Sequence, residues 1–430
     1  MGNEWKTIPA TDFCASVRDG THDSPKQASE GNYLVTSRHI TGNRVELDKT
    51  YKISSEDFEA INRRSKVDRW DVLVTMIGTV GEPCLVKDEP NFAIKNIGLF
   101  KSNSELEGKW LYYYLLSPIA QHLMKTYSRG STQQYIPLGA LREFPIIVTN
   151  DKKEMEAIVH ILGSLDDKIE QNRRMNETLE AMARTIFKSW FVDFDPVHAK
   201  AEGRDPGLPR EIADLFPDSF QDSELGPIPK GWKVGVLSDL SRLNPEAWLN
   251  ETRPETIDYV DLSNTKWGHI DAVTKYTKEE APSRAQRVLR LLDTIVGTVR
   301  PGNGSYAFIT VEGLTGSTGF AVLRPTKQYH AEFVYLAATA RENIESLAHL
   351  ADGAAYPAVR PKVVSATRIV KPNAEILQSF SGIVGSMLSK IATNEKESCT
   401  LASLRDALLP KLISGELDVF GFDRCLKEVV

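Results

Sequence analysis

The side chains best suited to chemistry here are those that hydrogen-bond in two directions at once. Arg129-Gly130-Ser131-Thr132-Gln133-Gln134-Tyr135-Ile136-Pro137 is a polar stretch that turns on a glycine. Glutamine matches adenine bidentately in the DNA major groove, arginine matches guanine, and serine or threonine serves either a base or a phosphate. Arg129, Ser131, Thr132, Gln133 and Gln134 are therefore candidate DNA contacts, although a plain surface loop would use the same composition. A second set lies further along. Val299-Arg300-Pro301-Gly302-Asn303-Gly304-Ser305 has strong turn chemistry. Gly353-Ala354-Ala355-Tyr356-Pro357-Ala358-Val359-Arg360 occupies the place that the Gly130 loop holds earlier. Arg300, Asn303, Tyr356 and Arg360 are the candidates there. Basic residues also cluster. Arg38 runs with His39, Arg44, Lys49 and Lys52, then come Arg63, Arg64, Lys66 and Arg69, and later Arg284, Arg287, Arg290 and Arg300. Such clusters either meet phosphates or face solvent.

Bond-making chemistry has no comparable signal. Gly313 to Gly319, GLTGSTG, fits neither GxxxxGK[ST] nor GxGxxG and reads as a hairpin turn. HExxH, GxSxG and Cys/His metal spacings are missing. Asn244-Pro245 lacks the second proline of a DNA amino-methyltransferase signature, and no Glu-x-Lys follows Pro217-Asp218 closely. His39, His160 and His269 stand isolated. Cysteines 14, 84, 399 and 425 have no metal or redox spacing and read as reduced thiols.

Two long helices must position the candidate loops. In residues 154–191 apolar side chains recur at Ile158, Leu162, Leu165, Ile169, Leu179, Met182 and Ile186, the seam of a rod nearer a coiled coil than a globular helix. Asp151 with Glu154 reads as a capping box. Roughly 38 residues give a rod of about 55 Å. Residues 376–413 repeat the pattern: shifted by 222, Gly163 falls on Gly385, Ile169 on Ile391 and Asn172 on Asn394. An asparagine on a seam costs stability but fixes register, so the pair Asn172 and Asn394 predicts that the two helices pair.

The repeat extends upstream. Asp71–Val74 with Gly78-Thr79-Val80 resembles Asp293–Val296 with Gly297-Thr298-Val299. The chain thus divides into a globular unit (1–150), a helix (151–192), a proline-rich connector expected to be extended or partly ordered (193–230), a second unit (231–371), a second helix (372–415) and a tail (416–430). The fold class is α+β, with two α/β units in tandem, each followed by a long helix. Net charge is −6, with 41 % hydrophobic and 26 % charged residues. The start MGNEWKTIPA has no signal-peptide core, and no apolar run reaches 18 residues, so a cytoplasmic protein is expected.

Several stretches together resemble the specificity subunit of type I restriction-modification systems. They are Phe191-Val192-Asp193-Phe194-Asp195-Pro196-Val197-His198-Ala199-Lys200, Leu215-Phe216-Pro217-Asp218-Ser219-Phe220, Gly231-Trp232, Gly297-Thr298-Val299-Arg300-Pro301-Gly302-Asn303-Gly304 and Lys411-Leu412-Ile413-Ser414-Gly415-Glu416-Leu417. The resemblance implies two target-recognition domains, each reading half of a split double-stranded DNA site. It implies that the long helices pair antiparallel as spacer and as dock for two modification (methyltransferase) subunits. It implies no catalytic residue and no cofactor in this chain: S-adenosylmethionine belongs to the methyltransferase partner, and ATP and magnesium to the restriction subunit. The second loop reads Gly-Ala-Ala-Tyr-Pro where the first reads Gly-Ser-Thr-Gln-Gln, so the halves are expected to read different sequences. The competing reading is a non-catalytic coiled-coil scaffold whose globular units bind proteins.

Overall fold

A computed structural model describes residues 5–130, 133–249, 251–353 and 356–419. Two compact units share the chain. The first holds residues up to Gln171 together with those from Glu397 onward, and the second holds Asn172–Lys396.

In the first unit an antiparallel four-stranded sheet runs Ser16–Asp19, Ile97–Lys101, Val72–Thr75, Pro83–Leu85. All four residues of Val72–Thr75 are buried, as suits a central strand. A three-stranded sheet runs Tyr51–Ile53, Asn32–Thr36, Phe92–Lys95, the last pair parallel. Trp5–Pro9 pairs with Pro145–Thr149 and ties the start of the domain to the strand that feeds the long helix. The stretch 109–127 contains Pro118, which breaks a helix when it falls inside one. Helices Glu105–Leu116 and Pro118–Tyr127 do meet at Ser117, whose hydroxyl accepts from the Ala120 amide at 3.3 Å. Proline at the first helical position forfeits only an N–H with no intrahelical partner.

The second unit repeats this plan. Its sheets run Ser241–Leu243, Phe320–Pro325, Thr294–Gly297, Tyr306–Phe308, and Thr274–Thr277, Thr256–Val260, Leu314–Ser317, Ala285–Val288, with Lys233–Val236 paired to Arg368–Lys371. The parallel strand pairing of Thr256–Val260 with Leu314–Ser317 falls where the first unit has its own. Buried Asp71 meets Lys101 at one end of the first central strand, and Asp293 meets Arg324 at 2.9 Å at the matching place.

The long helices are Lys152–Phe191 and Ala374–Ile413, 40 residues each. They pair antiparallel in both units. In the first, Met155, Ile158 and Leu162 share a core with Leu409, Leu412 and Ile413, and Arg405 donates to Asp166 at 2.7 Å. In the second, Asn172 donates to the Asn394 carbonyl (3.4 Å), Asn176 to the Ile391 carbonyl (3.5 Å), and the Asn394 amide to Asn176 Oδ1 (2.8 Å).

Three expectations are corrected. Met182 is 46 % exposed and Ile186 only half-buried; beyond Asn172, which is on the seam as expected, the buried line runs instead through Asn176, Ala183 and Phe187. Continuing the three-and-four spacing from Ile169 gives those positions, whereas choosing by hydrophobicity skipped a second asparagine and an alanine. Glu154 does not close a capping box. Asp151 accepts from the Lys153 amide at 2.9 Å, while buried Glu154 takes the Thr149 hydroxyl at 2.5 Å. The connector is folded: helices Asp195–Ala201 and Arg210–Ala213 precede a hairpin, Phe220–Gln221 with Ile228–Pro229. Its aromatics join the core of the second unit, Phe216 edge-on to Trp190 at 5.1 Å. Pro196 stands in the first turn of its helix, where it is tolerated.

Candidate nucleic-acid interface

Each unit ties its candidate loop into a backbone knot. In the first, Arg129 and Tyr135 exchange amide hydrogen bonds (2.7 and 2.9 Å), the Ile136 amide donates to Met76, and the Gly78 amide donates to Gln134 at 3.1 Å. In the second, Asp352 and Ala358 exchange bonds (3.1 and 2.9 Å), Val359 donates to Thr298, and Arg300 donates to Pro357 at 2.7 Å. The four contacts correspond one to one. Arg129 therefore stands where Asp352 stands, Gln133 where Tyr356 does, Gln134 where Pro357 does, and Gly78 where Arg300 does. This overturns the sequence pairing of Gly78-Thr79-Val80 with Gly297-Thr298-Val299. The shared triplet is out of step by three residues, and the ladder of amide bonds decides the register.

Glycine is required at both loop starts. Gly130 has φ +93°, and a Cβ there would stand 2.4 Å from the Gln133 carbonyl oxygen; Gly353 has φ +116°. Beyond the turn, Arg129, Gln133 and Gln134 are exposed, and Tyr135 is 43 % exposed. Ser131 and Thr132 lie outside the described residues.

Arg300 is left-handed at φ +48°, a conformation costing a non-glycine residue about 1 kcal/mol or more. Gly78 holds the equivalent place at φ +82° without that cost. The Arg300 guanidinium lies 4.8 Å from the ring centre of Tyr356, which is 70 % exposed. Asn303 is exposed one turn on, its amide bonded to the Arg300 carbonyl at 2.9 Å. Arg360 is exposed at the start of the short helix Pro361–Ser365. Arg38 is exposed on the turn Ser37–His39, and among the described residues no hydrogen bond or ion pair joins it to the Gly130 loop.

Much of the basic clustering is neutralised internally. Arg64 pairs with Asp19, Lys66 with Asp68, Arg44 with Glu170, Arg284 with Asp261 and Arg290 with Glu246. Among the described residues no group of three or more His, Cys, Asp or Glu could hold a metal ion. None of their helices is long and apolar enough to cross a membrane. Cys14 and Cys84 are buried and free, and burial pushes both thiols up to about 12.

The family described as "Type I restriction modification DNA specificity domain" matches residues 2–181. The HindI specificity subunit of Haemophilus influenzae is 26 % identical over 67 % of this chain and 72 % of its own. The MjaIX specificity subunit of Methanocaldococcus jannaschii is 26 % identical over 92 % of this chain and 86 % of its own. Over residues 2–181 the chain is thus similar to type I restriction-modification DNA specificity domains. A solved S subunit from M. genitalium shares the fold, with TM-score 0.55 and 17 % identity over 96 % of both chains.

Trp267, beside the Arg300 turn, is not singled out by the sequence. It sits at the tip of the hairpin Thr265–Lys266 with His269–Ile270, 53 % exposed, at φ +49°. Its amide donates to the Gly304 carbonyl at 2.6 Å, and a Cβ on Gly304 would meet its ring at 2.6 Å. The available signal was Trp267-Gly268 between two short strands, a dipeptide suited to a tight hairpin with positive φ.

Proposed function

We propose that this chain is the sequence reader of a type I restriction-modification complex, each recognition unit contacting one half of a bipartite DNA target. The observation that carries the reading is the repeated knot. One backbone scaffold presents Arg129, Gln133 and Gln134 in the first unit and Asp352, Tyr356 and Arg300 in the second. Equal frames with unequal hydrogen-bonding side chains suit two half-sites of different sequence.

The antiparallel helices supply the spacer, and their length sets the gap between half-sites. Their outer faces dock two methyltransferase subunits. The chain itself carries out no catalytic step: S-adenosylmethionine is bound by the methyltransferase partners, and ATP and magnesium by restriction subunits. With net charge −6 and part of the basic clustering internally paired, much of the phosphate contact comes from partner subunits, and affinity falls with salt.

The deciding experiment is methylome sequencing of cells that co-express this chain with its methyltransferase subunits. A split methylated motif of fixed gap that disappears on deletion of the chain is expected. Unchanged methylation in a complex that still assembles would favour the scaffold reading.

A further inference from the structure

We infer that Arg300, held by the face of Tyr356, reads a guanine in the half-site of the second unit. This rests on the DNA-reading function proposed above and adds the base.

The backbone is the first support. At the position fixed by the amide bond to Pro357, the first unit uses Gly78, for which a positive φ is free. The second unit places a long cation there and accepts the strain. Strain is retained where the surrounding structure imposes it for use. The side chain is the second support. An arginine normally loses much rotamer freedom on binding; a guanidinium 4.8 Å from a ring centre is already oriented. Its planar fork matches the O6 and N7 acceptors of guanine, the commonest specific arginine contact in the major groove. The surroundings are the third. Arg300 and Asn303 line a recess of about 300 Å³, floored by Pro301, Ala348, Ala351 and Pro357. Tyr356 then acts as a positioning residue whose ring sets the plane of the fork.

The test uses the full chain assembled with its methyltransferase subunits and duplexes bearing the methylated motif. Binding is measured to the native duplex, to duplexes in which each guanine of the second half-site is replaced in turn by 7-deazaguanine, and to unrelated DNA. Arg300→Ala is expected to weaken binding to the native site roughly ten- to a hundredfold, leaving unrelated DNA within about twofold. One 7-deazaguanine position should weaken the wild-type complex and produce no further loss in Arg300→Ala. Tyr356→Phe should retain selectivity, and Tyr356→Ala should lose part of it. Methylomes should show relaxation at that one base pair and an unchanged first half-site.

Equal loss on all DNA would make Arg300 a phosphate contact and overturn the inference. So would additive losses at every 7-deazaguanine position, or an unaltered motif in Arg300→Ala. If the wild-type complex gives no chain-dependent split motif, the reading beneath it fails as well, which separates the two failures.

Discussion

At the scale of residues, the candidate recognition loops are built from backbone first and side chain second. Gly130 shows the order. Any side chain there collides with the Gln133 carbonyl and must hold φ +93°. Gly130→Ala should therefore distort the knot and abolish recognition of the first half-site while the second half-site is still bound, as half-site duplexes would reveal. Gln133 is exposed, so its removal spares the fold. Gln133→Ala should weaken binding to the true site by about 1–3 kcal/mol and leave non-specific binding nearly intact. Equal weakening on all DNA would remove its role as a base reader. The polar character of the Gly130 loop was legible from its composition alone. The correspondence of Gly78 with Arg300 was not, because only the amide partners at Gln134 and Pro357 reveal which positions are equivalent.

At the scale of elements, the helix pair is specified by polarity as much as by apolar contact. Asn172, Asn176 and Asn394 are buried and joined by hydrogen bonds. Asn394→Leu should cost about 1–3 kcal/mol by orphaning the carbonyl of Asn176. Replacing all three asparagines by leucine should recover or exceed the original melting temperature and loosen the register, which cross-linking between cysteines placed on facing helix positions would report. Phe187 packs on Phe333 at 5.5 Å and on Phe380 at 6.3 Å, so Phe187→Ala should cost about 3–5 kcal/mol in chemical denaturation.

A hairpin also grips a helix through a titrating group, for His269 meets Glu395 at 3.1 Å. That bond raises His269 above the ordinary imidazole range against opposing burial, with Glu180 and Asp271 adding to it. The protonated form is the paired one. Its contribution is complete below the unfolded value of about 6.5 and fades as pH rises through the raised value. Because both groups are substantially exposed, the gain is a few tenths of a kcal/mol. His269→Gln should be less stable than wild type at pH 6 and equal to it well above neutrality; an identical deficit at both would refute the assignment.

For the whole molecule, the proposed reading makes the length and phase of the paired helices set the gap between half-sites. At 1.5 Å per residue each spans about 60 Å. Inserting seven residues at facing positions in both helices keeps the seam in phase and adds about 10 Å. The gap in the methylated motif should then grow by about three base pairs, since DNA advances about 3.4 Å per pair. A single-residue insertion rotates the seam by about 100° and should destroy pairing and methylation together. The duplication, the α+β class and the helix pairing were all visible in the chain, because repeats and heptads are local patterns that survive without contacts. The packed connector was not visible, since its prolines read as breakers until Phe216 and Trp232 find Trp190 and Phe191. Nor was the neutralisation of the basic clusters, because Arg64 meets Asp19 and Arg44 meets Glu170 across 45 and 126 residues. Sequence carries periodicity and residue chemistry; which distant groups satisfy one another is settled only when packing brings them within hydrogen-bond reach.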